Sequence, residues 1–381
     1  MMRVVVVGAG PGGATAALEL SRAGAEVWLV EKSAWPRDKT CGDGISPLGV
    51  REGNELRLRF EGRVRLHRAL VTTPGEVSFR GGWPADAPWG TTVERREFDG
   101  RIVAAAVEAG TQFFPSTIVR SVESRPGGVV ATLLSGEKER TVRADVAIIG
   151  EGATGGLASR LGFAPHRSRL IAVRGYAEVA RTLEPEYGIF YDRMVTPGYG
   201  WIFPLDDRRA NVGILVDERT LARAGGNMRG LFERWLRESR FSRTLLGESP
   251  RIRGVRGGVI PSGRRTRTCP RIFLVGDAAG VADPFTAEGI FQAVSSARLA
   301  ARALIASEDV FVARERYERD AKVFDRNERA ARGLRSTFAA AIGIYARHAA
   351  KRSAFADHLN TAVFFPKTSF YSFVWDLVRT W

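Results

Sequence analysis

Only two cysteines, Cys41 and Cys269, occur in 381 residues. That number excludes a disulfide framework and a cysteine-rich metal centre, and it suits a reducing cytoplasm. Histidine is nearly as scarce. His67, His166, His348 and His358 lie far apart, without the short spacings that place two ligands on one ion, so no metal is expected. No apolar run reaches the roughly 20 residues a membrane-spanning helix needs, and the apolar stretch at the N-terminus reads as a strand, not a signal peptide. Lysine is rare too: six residues among 57 basic ones, in a chain of net charge +15. Such a balance can draw a protein to nucleic acid or an anionic membrane. However, no nucleic-acid motif accompanies it, and arginine preference beside abundant Ala and Gly resembles genomic base composition. Nucleic acid is therefore not expected as a partner. At 44% hydrophobic residues the chain has ample core for two packed domains.

What is present begins at once. Val4–Val7 is a short β-branched run suited to a buried strand of a parallel sheet. Gly8, Gly10 and Gly13 follow in the G-x-G-x-x-G pattern: a tight turn, a close backbone approach to a pyrophosphate, and close helix–strand packing. The helix that starts there turns unpaired N–H groups and its positive dipole end toward phosphates. Ala17, Leu20 and Gly24 give it a small apolar face and a stop. A second strand, Val27–Val30, ends in Glu31, eighteen positions after Gly13, where a carboxylate can accept bonds from the adenosine ribose. A lone glycine triplet is weak evidence. The whole strand–turn–helix–strand–acid unit is specific for a dinucleotide.

The distal sequence chooses FAD over NAD. Another apolar strand, Ile272–Val275, precedes GDAAGVADPFTAEGI at 276–290. Asp277 at a strand end suits a ribityl hydroxyl, and the segment from Pro284 through Glu288, Gly289 and Ile290 opens a helix running to about Leu304. Its free N–H groups suit the pyrimidine edge of a flavin, where reduction builds negative charge.

The expected architecture is α/β: a Rossmann-like FAD-binding domain, an inserted antiparallel β-sheet substrate domain and a helical C-terminal region. The FAD domain is read as discontinuous, 1–53, 95–160 and 250–305. The substrate domain is 54–94 and 161–249, with Leu70–Phe79 as a strand and Ile171–Val179, Gly188–Met194, Trp201–Pro204 and Ala210–Val216 as an antiparallel sheet turning at Asp206-Asp207-Arg208. Residues 306–381 are read as helical. The end, Ala362–Trp381, carries Phe364, Phe365, Phe370, Tyr371, Phe373, Trp375 and Trp381, which suits packing on the body or contact with a membrane interface.

Two further segments carry candidate chemistry. In Arg37-Asp38-Lys39-Thr40-Cys41-Gly42-Asp43-Gly44 the glycines suggest backbone close to a ligand, and Cys41 suits either a proton donor beside a flavin or a small buried thiol. Ser46-Pro47 then reads as a helix N-cap. In Tyr199-Gly200-Trp201-Ile202-Phe203-Pro204, Tyr199 and Trp201 share one face of a strand and line either a core or an apolar substrate slot.

On these motifs the chain resembles the geranylgeranyl reductases, FAD-dependent enzymes of the para-hydroxybenzoate-hydroxylase-like superfamily that saturate isoprenoid double bonds in lipids and quinones. The resemblance covers roughly 1–305. It rests on GAGPGG, RDKTCGDGISP, Arg95 with Phe98-Asp99, YGWIFP with Gly213, Gly257-Gly258-Val259-Ile260-Pro261 and GDAAG…AEGI. It implies that Cys41 lies near the flavin ring, that Tyr199 and Trp201 shape a prenyl cavity, and that Arg95 and Asp277 hold FAD. The expected catalytic residues are Cys41, Tyr199 and Trp201. The expected FAD contacts are Gly8, Gly10, Gly13, Glu31, Lys39, Cys41 and Gly42, then Arg95, Val119, Gly276, Asp277, Pro284, Gly289 and Ile290. One departure stands out: Glu151-Gly152-Ala153 and Gly155 replace the family's usual Asp-Gly pair and later Ser, which weakens a hydroxylase reading.

The implied activity is saturation of prenyl carbon–carbon double bonds, with a prenylated lipid, a quinone or another apolar small molecule as substrate. No second nucleotide motif occurs, so NADPH, ferredoxin (or a partner reductase) and reduced flavin all remain as electron donors. The competing reading is a flavin monooxygenase or halogenase of a specialised metabolite, although a halogenase calls for a tryptophan at Tyr199 and a well-placed lysine, and neither is found. A cytoplasmic enzyme touching the inner face of the cell membrane is the location expected of such a reductase.

Overall fold

A computed structural model describes residues 1–59, 64–75, 77–83, 89–179, 181–263, 266–351, 353, 356 and 357. The aromatic segment Ala362–Trp381 lies outside the described residues, and with it the expectations placed on that segment.

The first sheet has six strands, in the order Thr268–Cys269, Ile272–Leu274, Val146–Ile149, Arg3–Val7, Glu26–Val30 and Gln112–Phe114. All pairings are parallel except the outermost, Thr268–Cys269 on Ile272–Leu274. Val4, Val5 and Val6 are fully buried, as a strand covered on both faces requires. The helix Pro11–Arg22 packs against the helices Arg95–Glu108 and Ile290–Ile305, and its Ala14, Ala17 and Leu18 are fully buried. Thr117–Arg125, Gly128–Ser135 and Lys138–Ala144 form a separate three-stranded antiparallel meander whose inner residues Val122, Ala131 and Val142 join the same core.

The second large sheet has seven strands: Ile252–Ser262, Ser168–Glu178, Arg209–Asp217, Tyr199–Pro204, Tyr187–Phe190, Arg68–Thr72 and Ser78–Gly82. Three sequence expectations change here. The sheet is mixed, because Tyr187–Phe190 runs parallel to Arg68–Thr72, a pairing between distant segments that local alternation cannot reveal. Leu70–Phe79 is not one strand but parts of two antiparallel ones, separated by the Pro74-Gly75 turn. And Ile252–Ser262, grouped by sequence with the 250–305 part of the FAD domain, pairs with Ser168–Glu178, so that part joins the first sheet only from about Thr268. Its strand pattern was visible; its partner was not.

Alternation along Tyr199–Pro204 divides the two faces of this sheet. Ile202 turns to a core formed with Phe232 and Trp235 of the helix Met228–Glu238, and a side chain on Gly200 would run into the Trp235 ring. Tyr199, Trp201 and Phe203 face the other way, toward the first sheet. The helices Val310–Asp320 and Lys322–Ala349 close the chain's described part. Tyr317 donates its hydroxyl to the Leu274 carbonyl at 2.7 Å, and Arg267, almost fully buried, pairs with Asp325 at 2.5 Å, which ties both helices to the edge of the first sheet.

Candidate active site

A cavity lies between the first sheet and the aromatic face of the second. It encloses about 1590 Å³ of space between atoms, its open mouth included. Gly10, Lys39, Cys41, Gly42, Arg95, Gly276, Asp277, Gly289 and Ile290 line it, together with Tyr199 and Trp201. Of the expected site residues, Gly8, Gly13, Glu31, Val119 and Pro284 are not on its wall.

The first end of this cavity is a cradle. Gly10 is the N-cap of the helix Pro11–Arg22 and contributes no side-chain bond, so the first-turn N–H groups are left to a ligand. A Cβ on Gly10 would meet nothing nearer than an Arg37 nitrogen at 3.5 Å. Only the ends of two guanidinium groups, Arg37 and Arg95, face that position, a setting that suits a pyrophosphate. Gly8 and Gly13 act differently: Gly8 has φ +93°, and a Cβ on Gly13 would overlap the Gly8 carbonyl oxygen. They make the turn and the packing, not the wall. Glu31 accepts the Ala9 and Ser33 N–H groups at 3.0 Å each and pairs with Arg37 Nε at 3.3 Å, so its carboxylate clamps the glycine turn to the second strand.

Arg95 and Asp277 hold the cradle's charged groups. Arg95 is buried and makes two bonds to Asp99, at 2.9 and 2.8 Å, while Arg37 reaches the same carboxylate at 2.8 Å. Lys39 Nζ donates to Asp277 at 3.0 Å. The helix Ile290–Ile305 starts at Gly289, again without a side-chain cap, and points its N-terminus into the same cavity. Val119 packs in the hydrophobic core, and Pro284 is buried behind the wall that residues 285–290 form.

An FAD binding domain model matches residues 1–186. The menaquinone reductase of Mycobacterium tuberculosis (strain ATCC 25618 / H37Rv) is 33% identical over 316 residues, 79% of this chain and 76% of that one. Digeranylgeranylglycerophospholipid reductase 2 of Methanopyrus kandleri is 31% identical over 304 residues, 78% of this chain and 75% of that one. The crystal structure of a geranylgeranyl bacteriochlorophyll reductase-like protein from Thermoplasma acidophilum superposes with a TM-score of 0.83 over 99% of both chains, at 21% identity, and so shows the same fold. The chain belongs to the geranylgeranyl reductase family of FAD-dependent oxidoreductases. Its cofactor is FAD, and the Gly10 turn facing Arg37 and Arg95, with two uncapped helix starts, fits that group.

In this family member the second end of the cavity is apolar and aromatic. Tyr199 and Trp201 meet edge to face, with centroids 6.4 Å apart, and Tyr187, Tyr191, Phe203 and Phe285 extend the wall. The Tyr199 hydroxyl donates to the Thr286 carbonyl. Burial pushes that phenol well above its ordinary value, so it stays protonated and its hydroxyl serves to join the sheet to the 283–289 loop.

The glycines around Asp43 prove to run close to this wall. A Cβ on Gly42 would stand 3.2 Å from Trp201 Nε1, and one on Gly44 3.1 Å from the Phe203 ring. Asn211, which sequence reading did not single out, ties the loop in place. It accepts from Trp201 Nε1 at 2.9 Å and donates to the Cys41 carbonyl at 2.9 Å and to Asp43 Oδ2 at 2.8 Å. The Tyr176 hydroxyl donates to the same Asp43 oxygen at 2.8 Å. Burial, opposed by these bonds, pushes the Asp43 carboxyl up to about 6. Arg174 adds a two-pronged bond to Asp38 at 2.7 and 2.8 Å. No sequence signal marks Asn211, Tyr176 or Arg174, because their partners lie on a loop more than a hundred residues away.

The Cys41 thiol sits on the cavity wall. Burial pushes its pKa up and Arg95 draws it down, with a net rise, so the sulfur keeps its proton. Glu151, the departure from the family pattern, accepts the Leu157 and Ala158 N–H groups at 2.7 Å each and so caps the short helix Leu157–Arg160. A Cβ on Gly155 would overlap that carboxylate. The larger Glu and the smaller Gly compensate each other.

Proposed function

We propose that this protein saturates carbon–carbon double bonds in the prenyl chain of a lipid or quinone. The observation that carries this reading is the juxtaposition of a phosphate-accepting cradle with a wall of Tyr187, Tyr191, Tyr199, Trp201 and Phe203, inside one cavity. An isoprenoid chain is almost wholly apolar and needs such a wall to leave the membrane. The first sheet and its helices serve the cofactor, and the seven-stranded sheet serves the substrate.

When bound, FAD supplies the hydride that an alkene accepts. Gly10 and the helix start behind it would hold the pyrophosphate, Asp277 with Lys39 would hold the ribityl chain, and Arg95 steadies the Cys41 loop. Trp201 and Phe203 exclude water and align the chain. Cys41 holds a proton at Sγ on the same wall. Tyr199 orients, since its hydroxyl is committed to Thr286. The reductase names of the two relatives support this reading over a monooxygenase or halogenase. The substrate partitions into membrane, so the enzyme meets it at the inner face of the cell membrane, drawing electrons from NADPH, a ferredoxin or reduced flavin.

The test is reoxidation of pre-reduced holoprotein without oxygen. Prenylated quinones or lipids are expected to restore the oxidised flavin spectrum anaerobically. Reoxidation only in air, with a polar aromatic substrate consumed, would support the monooxygenase reading instead.

A further inference from the structure

Saturating an alkene needs a proton as well as a hydride, and two carboxyl residues line the cavity: Asp277, paired with Lys39, and Glu288. Glu288 immediately precedes the helix start at Gly289 and lines the cavity; it is half-buried, inside the protein. Ser46, which also lines the cavity, and Gln292 lie beside its carboxyl. Asp283, on the same loop, faces it with like charge, and Tyr187 and Tyr199 face it from the seven-stranded sheet. Asp283 accepts the Phe285 and Thr286 N–H groups at 2.8 Å each and is not on the cavity wall, whereas Glu288 is.

We propose that Glu288 is the acid that protonates the substrate alkene, an inference that rests on the reductase reading above. In this step the Glu288 O–H bond breaks and its electron pair stays on the carboxylate. The alkene π pair forms a C–H bond to that proton. The hydride, whose two electrons come from the reduced cofactor, forms the second C–H bond on the neighbouring carbon. A proton from water restores the acid, through Ser46. Burial first, and Asp283 second, push the Glu288 carboxyl up to about 7 against its bonds to Ser46 and Gln292. It therefore holds its proton near neutrality and can give it up, as a general acid must.

The test uses FAD-loaded wild type, Glu288→Gln, Glu288→Asp and Cys41→Ser, with flavin absorbance as the control for folding. The single-turnover rate of pre-reduced wild type with a prenylated quinone is expected to be flat at low pH and to fall as pH rises through about 7. Glu288→Gln should lose on the order of 100-fold or more in rate and lose that pH dependence. Glu288→Asp should recover part of both. Cys41→Ser, whatever its rate, should keep the fall with pH. A second readout needs no substrate: in the infrared difference between wild type and Glu288→Gln, which cancels the Asp43 carboxyl, a protonated-carboxyl band should titrate over the same range. Wild-type rate and pH profile in Glu288→Gln would overturn the assignment, as would loss of the pH dependence in Cys41→Ser alone. A wild type inert toward every prenyl substrate would instead contradict the reductase reading, and with it the destination of the proton.

Discussion

At the scale of single residues, the three glycines of the first turn have separable jobs. A Cβ on Gly10 would touch only the ends of the Arg37 and Arg95 side chains, whereas one on Gly13 strikes the Gly8 carbonyl. Gly10→Val is therefore expected to fold, keep the wild-type melting temperature without cofactor, and lose most of its FAD. Gly13→Ala should lower the melting temperature of the apoprotein itself. Equilibrium dialysis and calorimetry separate the two, and equal effects from both variants would contradict the division. Trp201 also has two jobs. It is 5% exposed and its indole N–H meets Asn211 at 2.9 Å. Trp201→Phe keeps an aromatic wall but leaves the buried Asn211 oxygen unpaired, a cost of about 1–3 kcal/mol. Reduced stability with retained FAD and a raised KM for prenyl substrate is expected. Stability and kinetics both at wild-type level would remove Trp201 from this role.

Elements rather than residues decide how the Cys41 loop is held. Asp43 adopts φ +59° and is fully buried. Its carboxyl, pushed up to about 6 by burial, lies above the ordinary 3.8, so the folded protein binds the proton more tightly than the unfolded chain. Stability from this group is greatest below the unfolded value and falls as pH rises through that window, by on the order of 3 kcal/mol. Asp43→Asn, which tolerates the left-handed backbone, should flatten this dependence. Urea midpoints near neutrality at or above wild type are expected; a large loss would mean that the ionised carboxylate itself stabilises the loop. The sequence disclosed the elements here better than their partners. Val4–Glu31 was legible because its glycines, strand and acid are contiguous, and the shared face of Tyr199 and Trp201 follows from the two-residue period of a strand. The parallel pairing of Tyr187–Phe190 with Arg68–Thr72 and the Asn211–Asp43 bond join positions far apart in the chain. No local pattern encodes them. The side chain of Val119, an expected cofactor contact, packs into the core.

For the whole molecule, the substrate's solubility sets the question. Among the described residues, no helix is long and apolar enough to cross a membrane. A net charge of +15 and the aromatic residues from Phe364 to Trp381 suit a peripheral site on an anionic bilayer. Sedimentation with anionic liposomes at low salt, reversed by added salt and abolished by deleting from Ala362 while FAD is retained, is expected. A protein that stays in the supernatant would place substrate delivery elsewhere. The central claim is the chemistry, and the product tests it most directly. Pre-reduced holoprotein is mixed without oxygen with a prenylated quinone, and the extracted lipid is weighed by mass spectrometry. The account predicts a mass gain of one H2 per equivalent of flavin reoxidised, lodged in the prenyl chain with the quinone ring unchanged. Reoxidised flavin with an unaltered prenyl chain would contradict it.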